Sequence, residues 1–199
     1  MNTGIIWQAI NGWDAACTKF LNVNLASPLL DAVMIFFTIL GNGVAAALIT
    51  AIVIWLNPET RKTFLKNFLT ALGCMVLAGI FVQLIKLGVN RHRPLEHVAG
   101  LRVVWETAIW RSFPSGHTAT AFAMAGFLAG KIKKYMWLFW AVAGLIALSR
   151  VYTGVHYPTD VIAGALVGIA AEKIVLSFQR KKERPLSRLK NPTESTRLL

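Results

Sequence analysis

Phe64-Leu-Lys-Asn-Phe-Leu-Thr-Ala-Leu-Gly-Cys-Met-Val-Leu-Ala-Gly-Ile-Phe-Val-Gln-Leu-Ile-Lys-Leu87 decides the fold. Its polar side chains are confined to Lys66, Asn67, Thr70, Gln83 and Lys86, too few to give a helix a face that meets water. A bilayer core of about 30 Å instead asks for roughly 20 predominantly apolar helical residues, and this stretch supplies them. Working outward, four more apolar cores follow the same pattern: Val44–Leu56, Thr118–Ala129, Tyr135–Leu148 and Val161–Phe178. They close respectively at Asn57-Pro58-Glu59-Thr60-Arg61-Lys62, Gly130-Lys131-Ile132-Lys133-Lys134, Ser149-Arg150 and Gln179-Arg180-Lys181-Lys182. Several reach spanning length only with their flanks. Composition agrees: 55% of the 199 residues are hydrophobic and 15% charged, against roughly 45–50% and 25% in soluble domains. Mean hydropathy is +0.54. These values exclude a disordered chain, and Cys17 and Cys74 alone cannot make a disulfide scaffold. The predicted fold is all-α, an integral-membrane helical bundle of five to six spans.

The N-terminal region, residues 1–42, reads differently. Ile5–Leu21 carries Asn11, Asp14 and Lys19 among apolar residues, the pattern of an interfacial helix, and Leu29–Leu40 is too short to span alone. Gly41-Asn42-Gly43 breaks the helix, so the region is expected to form interfacial or half-inserted helices. Residues 43–179 form the membrane core, and 180–199, polar with Pro185 and Pro192, are expected to be a disordered basic tail.

A net charge of +12 would point to nucleic acid in a soluble protein. Here 14 of the 21 Lys and Arg residues fall on one side: Arg61, Lys62, Lys66, Lys131, Lys133, Lys134, Lys173 and seven in the tail. The positive-inside rule makes that side cytoplasmic, with the C-terminus. The expected partner is the bilayer, not nucleic acid. Lys19, Lys86, Arg91, Arg93, Arg102, Arg111 and Arg150 lie on the outer side, where the rule disfavours them.

Three outer segments account for most of those cations: Lys86-Leu-Gly-Val-Asn-Arg-His-Arg93-Pro94, Arg111-Ser-Phe-Pro114-Ser115-Gly116-His117-Thr118, and Ser149-Arg150-Val-Tyr-Thr-Gly-Val-His156-Tyr-Pro-Thr-Asp160. Span parity brings them to one membrane face. Lys86, Arg93 and Arg150 supply donors for phosphate oxygens. Ser115 and Gly116 open a helix whose first amides can cradle an anion. His156 and His117 are the candidate nucleophile and proton donor, in either order. Asp160, four residues after His156, can bond one ring nitrogen and free the other to attack. Taken singly, Lys86 and Arg150 read equally well as snorkelling anchors and Asp160 as a helix cap; the joint spacing favours the site. No Cys pair, carboxylate cluster or His spacing marks a metal or other cofactor.

Lys, six residues, Arg-Pro; Pro-Ser-Gly-His; Ser-Arg, five residues, His, three residues, Asp: this tripartite pattern resembles the type 2 phosphatidic acid phosphatase superfamily over roughly Phe64–Phe178. The resemblance implies an acid phosphatase/vanadium haloperoxidase-like core and a metal-independent, vanadate-sensitive phosphatase. It implies that His156 forms a phosphohistidine, with Asp160 as its orienting partner. His117 then protonates the leaving oxygen and afterwards activates water. Lys86, Arg93, Ser115, Gly116 and Arg150 resemble the phosphate-binding set.

The substrate is expected to be a phosphorylated membrane lipid, reached from the outer (periplasmic) face of a bacterial inner membrane. Undecaprenyl pyrophosphate leads, with lipid A, phosphatidylglycerophosphate and phosphatidic acid as alternatives. Phosphoryl transfer to another acceptor would share the first half of the chemistry. A lipid-phosphate transporter would have no use for a histidine paired with an acid. The Leu87–Phe113 loop holds Trp105, Trp110 and Phe113, suited to the interface. Its surplus bases Arg91, His92, Arg102 and Arg111 either supply contacts to a second anionic group, with Arg91, Arg102 and Arg111 the candidates, or are solvated loop charge. Small residues at Ala119, Ala121, Ala123, Ala125, Gly126, Gly164, Ala165 and Gly168 are read as close helix packing; they specify no oligomeric state.

Overall fold

The computed structural model describes the backbone of residues 3–105 and 111–190 and the side chains of 8–105 and 111–181. Trp110 and residues 191–199 lie outside the described residues. Among the described residues the regular elements are all helical, without strands.

The chain begins with α1 (Thr3–Lys19), which passes through a π-helical turn, Phe20–Asn24. In α2 (Pro28–Leu40) the start is fixed locally: Ser27 accepts from the Leu30 amide at 3.2 Å and Pro28 occupies the first turn. Asn42 then caps α3 (Gly43–Leu56) through the Val44 amide at 3.0 Å. The Gly41-Asn42-Gly43 break becomes a 78° bend between α2 and α3, so the pair is apolar enough to cross as one broken span. Asn57 caps a short α4 (Pro58–Arg61). Next comes α5 (Phe64–Gly88), the stretch that opened the sequence reading. Beyond it lie α6 (Pro94–His97), α7 (Gly116–Lys131), α8 (Met136–Tyr152) and α9 (Pro158–Lys190).

α5, α8 taken with the helical turn Lys133–Tyr135 before it, and α9 as far as Lys181 are each long and apolar enough to span. α7, at 16 residues, is shorter and sits at the centre, packed against α5, α8, α9 and α3. Its inner positions are small because the backbones close on one another. A Cβ on Gly168 would lie 2.2 Å from the Ala119 carbonyl oxygen, and one on Gly164 would lie 2.5 Å from that of Ser115. The core is therefore alanine, glycine and a few large side chains, Phe127, Leu128, Ile54 and Ile146 among them. Large apolar residues face outward instead, including Leu84 (59% exposed) and Leu166 (64%). That inversion fits a hydrocarbon surround, and the protein is a multi-pass membrane bundle.

Two polar residues inside spans part ways. Asn67 is buried and donates to the Thr60 carbonyl and the Thr63 hydroxyl, both at 3.0 Å, so it tethers the α4–α5 corner. Gln83 lines a cavity at the opposite end. α9 runs to Lys190, so residues 180–190 are helical where the sequence reading places disorder. Lys and Arg are good helix formers, and their charge alone does not end a helix.

Candidate active site

Five helix ends build the site. α5 delivers Lys86 in its last turn; the segment before α6 carries Arg93; α7 starts at Gly116 and His117; α8 ends near Arg150, and the loop before α9 presents His156. These six residues, with Arg111, Val82, Gln83 and Leu87, line a cavity of about 640 Å³. Residues from all three sequence segments thus meet at one cavity.

The loop that carries His156 is held from several sides. Gly154 has φ +76°, a conformation that glycine adopts at little cost. A Cβ there would lie 3.3 Å from both Asn22 and Leu95. Arg93 donates to the Val155 carbonyl at 2.7 Å, and the same Nη1 lies 3.4 Å from His156 Nε2. His156 Nδ1 faces Asp160 Oδ2 at 3.5 Å, long for a hydrogen bond. Asp160 Oδ2 also accepts from the Tyr157 amide at 2.9 Å. Nδ1 is thereby turned to the carboxylate and Nε2 to the cavity. Burial pushes the His156 imidazole down to about 3, against the opposing pull of Asp160 and with added repulsion from Arg93 and Arg150. These surroundings favour the neutral ring.

Ser115 lies behind the cavity rather than on its wall. It is fully buried, and its hydroxyl caps α7, accepting from the Thr118 hydroxyl at 3.0 Å. Asp160 also stands behind, its backbone carbonyl accepting from the Ser115 amide at 3.0 Å. That bond ties the start of α7 to the start of α9. Arg150 is 2% exposed and lines the cavity. Lys86 donates to the Arg111 carbonyl and Arg111 donates to the Lys86 carbonyl, a reciprocal clasp between the end of α5 and the segment before α7.

The surplus cations divide. Arg111 lines the cavity. Arg91 instead bridges Asp14 and Asp160, at 2.5 and 2.7 Å. Arg102 pairs with Asp31 at 2.5 Å, and the same carboxylate accepts from the Tyr152 hydroxyl at 2.5 Å. Neither Arg91 nor Arg102 is on the cavity wall. Among the described residues, His92, Glu96 and His97 bring donor atoms within 4.8 Å of one another, a spacing compatible with a metal ion. All three are exposed and stand outside the cavity.

Several contributors have no signature in the sequence reading. Asp14, read there as a polar residue of an interfacial helix, is fully buried. Asn22, also fully buried, donates to the Tyr152 carbonyl at 2.8 Å and accepts from the Arg102 amide at 2.7 Å. Gly41 packs on His117, whose Cδ2 would lie 3.2 Å from a Cβ there. Only a turn signal pointed to Gly41; nothing local marks the partners of Asp14 or Asn22.

Comparison with known proteins adds an independent line. The family profile described as PAP2 superfamily matches residues 67–184. The bacitracin transport permease protein BcrC of Bacillus licheniformis is 31% identical over 124 residues, 62% of this chain and 60% of that protein. The undecaprenyl-diphosphatase of Sulfolobus acidocaldarius is 30% identical over 158 residues, 79% of this chain and 74% of that one. The crystal structure of Aquifex aeolicus LpxE superposes with a TM-score of 0.71 at 30% identity, covering 83% of this chain and 95% of that one.

Proposed function

This chain belongs to the PAP2 superfamily, and from that premise we propose that it hydrolyses a phosphate or pyrophosphate ester of a membrane lipid through a phosphohistidine. One observation carries the reading. His156, His117, Lys86, Arg93 and Arg150 line one cavity, with Asp160 behind the His156 ring.

The steps follow from those positions. The lone pair on His156 Nε2 attacks phosphorus, forming the N–P bond. The bond from phosphorus to the lipid-side oxygen breaks, and that oxygen takes a proton from His117. Asp160 holds the Nδ1 proton and stabilises the charge that develops on the ring. Lys86, Arg93 and Arg150 bind the equatorial oxygens, with the amides at the start of α7 beside them. Water then gives a proton to His117 and attacks phosphorus. The N–P bond breaks, its electrons return to Nε2, and inorganic phosphate leaves. The three cations supply the charge balance that a metal provides in other phosphatases.

The preferred substrate is undecaprenyl pyrophosphate. A diphosphate carries more charge than one phosphate ester, and Arg111 gives the cavity a fourth cation. Exposed Leu84 and Leu87 continue from the cavity along α5 and suit an apolar chain. Lipid A, phosphatidylglycerophosphate and phosphatidic acid are the competing substrates, and phosphoryl transfer to an acceptor is the competing outcome. The distribution of basic residues supports a site on the outer, periplasmic face of a bacterial inner membrane.

The test is phosphate release by purified protein over that lipid panel, with and without EDTA. Release that withstands EDTA and is lost in His156→Ala is expected. Undiminished release by His156→Ala overturns the assignment. Arg111→Ala is expected to impair the diphosphate lipid more than the monophosphates.

A further inference from the structure

A carboxylate buried as deeply as Asp14 is costly unless paired and hydrogen-bonded, and its partners reach the candidate active site. Asp14 Oδ1 accepts from the Thr159 amide at 3.0 Å, and Oδ2 accepts from the Thr159 hydroxyl and from Arg91 Nη2, each at 2.5 Å. Arg91 Nη1 donates at 2.7 Å to both the Thr159 hydroxyl and Asp160 Oδ1. The guanidinium carbon lies 4.1 Å from the centre of the Tyr157 ring. Asp160 thus divides its oxygens: Oδ1 serves Arg91, while Oδ2 serves the Tyr157 amide and faces His156.

The separation of 3.5 Å between His156 Nδ1 and Asp160 Oδ2 gives this division its weight. A small rotation of the carboxylate either closes that contact into a hydrogen bond or opens it. Arg91 sets the rotation by holding the other oxygen, and Asp14 sets Arg91. We propose that Asp14 and Arg91 are positioning residues for phosphoryl transfer, through which the N-terminal helix α1 fixes the Asp160 carboxylate against His156. The proposal rests on His156 being the nucleophile. It gives α1 a role in the chemistry, although α1 precedes the part of the chain matched to the family profile.

Arg91 also tempers the field of Asp160 at the imidazole. The charged and titratable groups around His156 are Asp160 of α9, Arg93 before α6 and Arg150 of α8, with Lys86 of α5, Arg111 before α7 and His117 of α7 on the same cavity. Removing Arg91 leaves Asp160 freer to favour the protonated ring, so the acid limb of the rate profile moves to higher pH. Asp14→Asn removes a competing carboxylate from Arg91, whose charge then weighs more on Asp160, and the limb moves the other way. A purely structural role does not produce opposite shifts.

The experiment compares wild type, Asp14→Asn, Arg91→Gln, the double variant and His156→Ala in detergent, with thermal unfolding recorded for each. kcat is expected to fall roughly ten- to a hundredfold in each single variant, as for other outer partners of reacting groups. KM should stay within about twofold, and the double variant should lose less than the two singles combined. Should Asp14→Asn unfold, Arg91→Lys carries the test, with kcat reduced and KM held. A folded Asp14→Asn with wild-type kcat overturns the proposal, as does Arg91→Gln that raises KM alone. His156→Ala at full activity overturns the underlying reading instead, which keeps the two failures apart.

Discussion

In the proposed mechanism His156 concentrates the chemistry of the cavity in one ring. Its folded value near 3 lies below the ordinary histidine value of 6.5, which has two consequences of known sign. The acid limb of the rate profile belongs near pH 3, so the rate should hold as the pH is lowered from 7 to 5. Steady-state kcat at saturating lipid checks this; a loss of rate between pH 7 and 5 under chemistry-limited conditions would count against it. The second consequence concerns stability. Because the folded value is depressed, the unfolded chain binds the extra proton first. Stability is present above pH 6.5 and declines as pH falls toward 3. Unfolding midpoints of wild type and His156→Ala across that window should converge as the pH drops.

Elements explain why the bundle tolerates so little bulk at its centre. α7 and α9 meet where Gly164 and Gly168 lie against the carbonyls of Ser115 and Ala119. Gly168→Ala places a methyl group 2.2 Å from a backbone oxygen, so one helix must shift. A loss of about 1–3 kcal/mol is expected, read as a lower unfolding temperature, whereas Gly144→Ala, with nothing within 4 Å, should be nearly neutral. The α2–α3 bend makes a similar demand at Gly41. A Cβ there would lie 2.6 Å from Ile146 and 3.2 Å from His117. Gly41→Ala is expected to lower kcat through a displaced His117 ring, while phosphate inhibition, which reports the cation set, stays near wild type.

At the scale of the whole molecule, charge separates the two ends. The site end is outside and the basic end cytoplasmic if the positive-inside rule holds for this chain. In a background lacking Cys17 and Cys74, Val103→Cys should react with a membrane-impermeant maleimide on intact cells and Lys134→Cys should not. The reverse labelling would invert the topology. Much of the architecture was legible because it is written locally. Apolar runs mark the helices, Gly41-Asn42-Gly43 marks the bend, and spacing marks Lys86, Arg93, Gly116, His117, Arg150 and His156. What stayed hidden depends on partners distant in the chain. Asp14 and Thr159 are separated by 145 positions and Asn22 and Tyr152 by 130, and nothing near either residue announces the other. Arg91 and Arg111 look alike in the loop sequence; only packing sends one to the carboxylates and the other to the cavity.

The hydrogen bond from the Ser115 amide to the Asp160 carbonyl also bears on how this protein would fail. It joins the helix that carries His117 to the helix that follows His156, beside the glycine contact that sets their distance. The two histidines therefore share a frame with the core and do not ride on an independent lid. Inactivation and unfolding should then be one event: in rising denaturant, activity and helicity should decay along a single curve, and the Ser115 amide should exchange with solvent at the rate of the slowest amides in the bundle.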